Sequence, residues 1–133
     1  MDESFLISII AVIISIISLN QSNKSAHGQI EIDIRNMITS ARNRYEDLIL
    51  NNRDDSIYRL IVKSSLENLI NVYDEACAKY LDSKVDKVRF KKLYYTEIKK
   101  LVENKDTKPY YDTIDSKFQT TIKVYEEWNN LEK

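Results

Sequence analysis

Asp74 and Glu75 follow Tyr73 and precede Tyr80 by six and five residues, and here carboxylates and phenols lie close enough in sequence to form a polar site for proton transfer. Carboxylates do general acid or base work when their surroundings move their pKa toward neutrality. On helices, Asp and Glu are mostly solvated or engaged with residues three or four positions away, and the phenols fall on an apolar stripe. A carboxylate and tyrosine enzyme is therefore the weakest reading of these residues. His27 and Cys77 offer less, because each is the sole residue of its type. Together they do not supply the ligands of a zinc site, and a Cys/His pair would require the segment around His27 to fold back across the molecule. Cys77, in VYDEACAKYLD, falls on the apolar side of a helix, where a thiol behaves as a small hydrophobe. A reactive thiol needs exposure and a lowered pKa. With one Gly and one Pro, the Gly-rich phosphate cradles of nucleotide-binding folds are excluded, and no Glu-x-x-His pair points to a di-iron bundle. No catalytic residue, metal site or cofactor is expected, and the chain does not read as an enzyme.

Binding chemistry is better represented. Of the nine tyrosines, Tyr73, Tyr80, Tyr94, Tyr111 and Tyr125 fall on apolar stripes and read as core residues whose hydroxyls reach the rim. Tyr95 and Tyr110 fall off those stripes. With Lys91, Lys92, Lys99 and Lys108 they form a candidate aromatic and basic surface for an anionic ligand, either lipid headgroups or RNA. The net charge of −1 gives no case for nucleic acid as the partner of the whole chain. The charge is unevenly spread, however: residues 84–108 carry nine Lys/Arg against four acids, whereas residues 28–82 carry ten acids against seven bases. Charge complementarity inside the fold is the expected fate of that asymmetry.

The elements that must position these groups begin with SFLISIIAVIISIISLNQS, residues 4–22. The apolar run 5–19 would rise roughly 22 Å as a helix, short of a ~30 Å hydrocarbon core. No charge lies between Glu3 and Lys24, so residues 4–25, with Lys24 snorkelling, supply the length of a transmembrane helix. A cleaved signal peptide would want a basic start, and Asp2 and Glu3 precede the run. A buried helix of a soluble bundle would show a polar face, and this one does not. Acids on one side and Lys24 and Arg35 on the other place the following domain in the cytoplasm and the N-terminus outside an inner membrane. A lone cysteine agrees with a reducing compartment. Ser4, Ser8, Ala11, Ser15, Ser18, Ser22 and Ser25 recur at alternating four- and three-residue intervals, forming one small-residue stripe. In lipid, close backbone approach at small residues drives helix association, so the stripe reads as an interface for a homo-oligomer; the competing reading is serine bonding back to its own turn.

Residues 1–27 thus read as anchor and juxtamembrane linker, and 28–133 as a cytoplasmic helical bundle. Ile30, Ile34, Met37, Ala41, Tyr45 and Leu48 give the first stripe of the bundle. Behind Arg53, Asp54, Asp55 and Ser56, Tyr58, Val62, Leu66, Leu69, Tyr73, Ala76, Cys77 and Tyr80 give the second. Asp86 is the N-cap of a third helix carrying Phe90, Leu93, Tyr94, Glu97, Ile98, Leu101 and Val102, which ends near Asn104. Pro109, at a first-turn position, opens a fourth with Tyr111, Ile114, Phe118, Ile122, Tyr125, Trp128 and Leu131. The fold class is all-α: one transmembrane helix followed by an up-and-down antiparallel bundle of three to four helices.

The stretch ENLINVYDEACAKYLDSKVDKVRFKKLYYTEIKKLVEN and the distal VYEEW, with Glu67, Tyr73, Tyr80, Asp86, Phe90, Tyr94, Ile98 and Trp128 as the carrying residues, resemble short bacterial membrane-anchored helical proteins of a family of unknown function. The resemblance covers about half of the chain. It implies a bacterial membrane anchor, a helical fold and, by analogy, a role in phage defence or envelope stress; it supplies no catalytic residue. The functional expectation is a single-pass anchored scaffold that self-associates and recruits or senses a protein partner. The alternative is a membrane-active effector, a toxin or pore former that oligomerises through its N-terminal helix.

Overall fold

A computed structural model describes residues 2–130; Leu131 lies outside the described residues. The chain is all-helical there, with α1 (Glu3–Leu50), α2 (Ser56–Leu81), α3 (Lys87–Glu103) and α4 (Gln119–Asn129). Successive helices run antiparallel. Tyr73 and Tyr80 of α2 meet Glu97 and Phe90 of α3 in reversed order, and Tyr95 and Glu103 of α3 meet Asn129 and Tyr125 of α4 likewise. Helix α2 is the spine, since α1, α3 and α4 all pack on it.

The segment read as a linker is helix. Residues 20–28 contain one Gly and no Pro, and a single helical Gly costs only about 1 kcal/mol. Helix on both sides carries the ladder through, since propagation is favourable once the nucleus exists. The result is a rod of 48 residues, about 70 Å long. It is long and apolar enough near its N-terminus to cross a membrane, and none of that apolar window is buried in the fold. Further along, α1 joins the bundle through Ile34, Ile38 and Ala41, flanked by Ile30 and Tyr45. Met37, expected on this stripe, is 41% exposed; Ile38 takes its place because the 34–38–41–45 spacing follows the contact line with α2.

Asp55 caps α2 by accepting from Tyr58 N at 2.6 Å, and Asp86 caps α3 by accepting from Arg89 N at 2.9 Å. The fourth helix starts later than its spacing suggests. Pro109 opens only a 3-10 turn, Lys108–Tyr110, and the chain then loops to Gln119, leaving Ile114 at 99% exposure. Asp, Thr and Ser side chains compete with a helical ladder for backbone groups, and here Ser116 Oγ donates to the Tyr110 carbonyl at 2.6 Å and accepts from Phe118 N at 3.2 Å. Tyr111 and Phe118 still reach a core, a small cluster around Ile70. The main core gathers Tyr73, Tyr80, Phe90, Tyr94 and Trp128, whose rings contact one another in sequence between 4.8 and 6.5 Å.

The α2–α3 turn closes in a Schellman arrangement: Ser83 N donates to Tyr80 O at 3.1 Å and Lys84 N to Lys79 O at 2.9 Å. That geometry needs a left-handed residue after the cap, usually Gly, and Ser83 fills it with φ 56°. A side chain in that region costs roughly 1–2 kcal/mol, offset in part by the greater unfolded-state freedom of Gly, roughly 0.4–1 kcal/mol. Ser83→Gly should therefore stabilise the fold by about 0.5–1 kcal/mol, read as a raised denaturant midpoint with unchanged slope; a lowered midpoint would contradict the assignment.

Candidate functional site

The residues singled out by sequence are not assembled into one site. Asp74 turns to α4, which has no side-chain cap of its own at Phe118. Its carboxylate accepts from Thr121 N and from Thr121 Oγ1, both at 2.9 Å, and so caps α4 from the neighbouring helix. Tyr80 donates to Glu127 at 2.9 Å and accepts from the Trp128 indole at 3.0 Å. Tyr73 faces the other way. Glu75 is exposed. The carboxylate and phenol site considered from the spacing is thus taken apart by the packing.

Tyr73 instead belongs to a three-helix polar cluster that local spacing could not reveal. Arg42 of α1 donates to the Tyr73 hydroxyl at 2.6 Å and to Glu97 Oε1 at 2.7 Å, while Tyr73 donates to Glu97 Oε2 at 2.6 Å. Burial, reinforced by the adjacent Glu97 carboxylate, pushes the Tyr73 phenol well above its ordinary range, so it stays protonated. The cluster ties α1, α2 and α3 together. Beside it runs an open groove of about 440 Å³, with Leu66, Leu69 and Leu101 as its apolar wall and Arg42, Lys100 and Glu97 among its polar lining.

Cys77 is fully buried. Burial, opposed by a hydrogen bond with Thr121 and aided by the charge of Asp74, pushes its thiol up to about 12. His27 lies within α1. Among the described residues, no group of three His, Cys, Asp or Glu is placed to hold a metal ion.

The anionic-ligand surface proposed from sequence is split. Lys91 and Lys92 are exposed on α3. Tyr95 is half-buried against Trp128 and donates to Asn129 at 2.9 Å, with the Lys99 ammonium 6.0 Å from its ring centre. Tyr110 packs on Phe118 in the other core cluster. The expected charge pairing within the bundle is also sparse. Of the nine bases in residues 84–108, only Arg89 and Lys108 sit in ion pairs among the described residues, Arg89 with Glu31 and Asp86, Lys108 with Asp112.

The stripe Ser4, Ser8, Ala11, Ser15, Ser18 and Ser22 lies on the fully exposed part of α1. Ser8 Oγ donates to the Ser4 carbonyl at 2.9 Å and Ser15 Oγ to the Ala11 carbonyl at 2.8 Å, while the hydroxyl of Ser18 makes no bond within the described chain. Back-bonding and a small-residue face thus coexist.

A further surface escaped the stripe reading. Where α1 and α2 meet at their far hairpin, Ile49, Leu50, Ile57, Leu60 and Ile61 are all exposed, Leu50 at 82%, beside a shallow groove of about 390 Å³ against Tyr45 and Glu46. The signal was present as apolar residues off both stripes, flanking the charged turn. No protein-family model, curated protein or solved structure matches the chain.

Two measurements test this geometry. Asp74→Ala leaves the buried Thr121 amide and hydroxyl without their acceptor and should cost about 1–3 kcal/mol, against near-neutral Glu75→Ala; equal effects would remove the cap argument. The Cys77 thiol should resist a thiol reagent at neutral pH until denaturant is added. Because its folded pKa lies above the unfolded value of about 8.5, the contribution of Cys77 to stability is intact below that value and declines as pH rises toward about 12.

Proposed function

We propose that this chain is a single-pass membrane protein that holds a helical interaction module at the membrane surface. The observation that carries this reading is the unbroken α1, whose first half is apolar and wholly exposed while its second half is a structural member of the bundle. Exposed aliphatic surface on that scale is costly in water and satisfied in lipid. The flanking charges, Asp2 and Glu3 before the span and Lys24 and Arg35 after it, favour an inner membrane with the bundle in the cytoplasm. Two contact surfaces support the interaction part. The small-residue stripe suits association with a second copy within lipid, and the exposed hairpin tip at Leu50 and Leu60, at the end of the bundle farthest from the span, suits a protein partner.

Because the Ser15 hydroxyl is already satisfied by Ala11, its role in the stripe is one of size. Ser15→Ala should therefore preserve crosslinked oligomers in carbonate-washed membranes, whereas Ser15→Leu together with Ser18→Leu should abolish them with the bundle still helical. Discrete oligomers that survive the double Leu variant would refute the stripe as interface. A chain that carbonate removes from membranes would refute the anchor. Ion leakage on expression, lost in the same variant, would replace the scaffold with the pore-forming effector.

A further inference from the structure

The first residue of α1 to pack on the core is Ile30, and at the next position Glu31 accepts a hydrogen bond from Asp86 N at 3.0 Å. The bundle therefore begins within two turns of Lys24, with its α2–α3 turn on the side of the span. The distance is short. From Lys24 to Ile30 the helix rises about 9 Å, and to Glu31 about 10 Å. The apolar run 5–19 falls short of the hydrocarbon thickness, so a span must draw residues 20–24 inward, leaving Lys24 at its edge. A headgroup layer of roughly 5–8 Å then ends within a few Å of the near end of the bundle, within reach of a lysine side chain, and the rigid helix leaves no slack to move it away.

That end carries acids and bases in equal number, Glu31, Asp82, Asp86 and Glu127 with Lys79, Lys84, Lys87 and Arg89, but they are unequally paired. Glu31 and Asp86 are both engaged by Arg89, at 3.5 and 3.6 Å, and Glu127 accepts from Tyr80. Lys79, Lys84 and Lys87 have no ion-pair partner among the described residues; Lys87 rests over the Tyr80 ring at 4.9 Å. Asp82 is the acid that stands among them on the turn. The Schellman closure and the buried Val85 fix the turn, so Lys84 is held outward, and Val88, at 82% exposure, adds an apolar contact one step into α3. We propose that this turn is a docking surface for anionic lipid headgroups, with Lys79, Lys84 and Lys87 as its cations, and that it seats the bundle on the membrane that α1 crosses. The inference rests on the anchored reading. It differs from the side of α3 bearing Lys91, Lys92 and Lys99, which runs along the bundle rather than capping its near end.

A lysine close to an anionic bilayer is worth roughly a fivefold bias toward contact, so three opposed by Asp82 on the same turn give about 25-fold. The test is full-length chain carrying an environment-sensitive fluorophore at Ser83→Cys, which labels selectively because Cys77 is buried. It is reconstituted in phosphatidylcholine vesicles with or without phosphatidylglycerol, each doped with a headgroup spin-labelled quencher. Quenching is expected to rise with phosphatidylglycerol, to fall in high salt, and to return to the neutral-lipid level in Lys79→Glu/Lys84→Glu/Lys87→Glu. The reversal Lys91→Glu/Lys92→Glu/Lys99→Glu should leave it in place, and circular dichroism of both variants checks the fold. Equal quenching in the two lipids, or equal loss in the two variants, overturns the proposal. Flotation with neutral vesicles after an alkaline wash separates the two readings: a chain that fails to float sinks the anchor and the docking surface together. A chain that floats without any dependence on lipid charge sinks the docking surface alone.

Discussion

A backbone inside hydrocarbon must satisfy every N–H and C=O within itself, and α1, long and apolar enough near its N-terminus to cross a membrane, meets that requirement over far more than its apolar segment. The helix that residues 5–19 are suited to form in lipid has no strong stop signal until Asn51, where the Asn51 side chain and backbone both return to the Asp47 carbonyl. Gly28 alone does not interrupt it. The bundle consequently inherits its first helix, its orientation and its distance from the apolar segment from a single continuous element. The α1–α2 hairpin, the Arg42 cluster and the Glu31–Arg89 contact all take their register from that rod.

Helix α2 answers the constraint from the other side. A bundle of only four helices, one of them short, has little apolar area to spend, and α2 uses each face. One face buries Leu69, Tyr73 and Ala76 against α1 and α3, another buries Ile70 and Cys77, and Asp74 between them caps α4. The phenols of Tyr73 and Tyr80 end in hydrogen bonds to Glu97 and Glu127, which keeps large rings in the core without stranding their hydroxyls. Tyr111 is the contrast: its hydroxyl is buried with no partner among the described residues. The same polar groups that suggested acid and base chemistry thus serve to orient helices.

Periodicity made the helices, the caps at Asp55 and Asp86, the burial of Cys77 and the apolar N-terminal segment legible, because each is a local property of spacing or of a single turn. It misplaced Met37 against Ile38 by one position, since a stripe does not say along which line a neighbour lies. It carried the fourth helix back to Pro109 because Tyr111 and Phe118 are buried, and burial in a loop looks like burial in a helix when only spacing is available. The contacts between distant positions, Arg42 with Glu97 and Asp74 with Thr121, were invisible for the same reason. The charge surplus of α3 was legible in sign but not in fate, because pairing depends on which helices become neighbours.

The two faces of α1 show how one rod can serve two contacts without conflict. At 100° per residue, the stripe from Ser4 to Ser22 and the core face of Ile34, Ile38 and Ala41 lie roughly a third of a turn apart. The bundle is therefore set to one side of the stripe rather than across it. Past the apolar segment, the stripe side continues through Gln29, Asp33, Asn36, Ser40, Asn43 and Asp47, all exposed. A helix brought alongside the stripe in lipid would meet this polar side of α1 on leaving the membrane, where the bundle does not stand in its path and Asp33 and Asp47 are the charges it would face. Had a break at Gly28 replaced the continuous helix, that relation between the membrane face and the bundle face would be lost, since a flexible joint transmits neither rotation nor register.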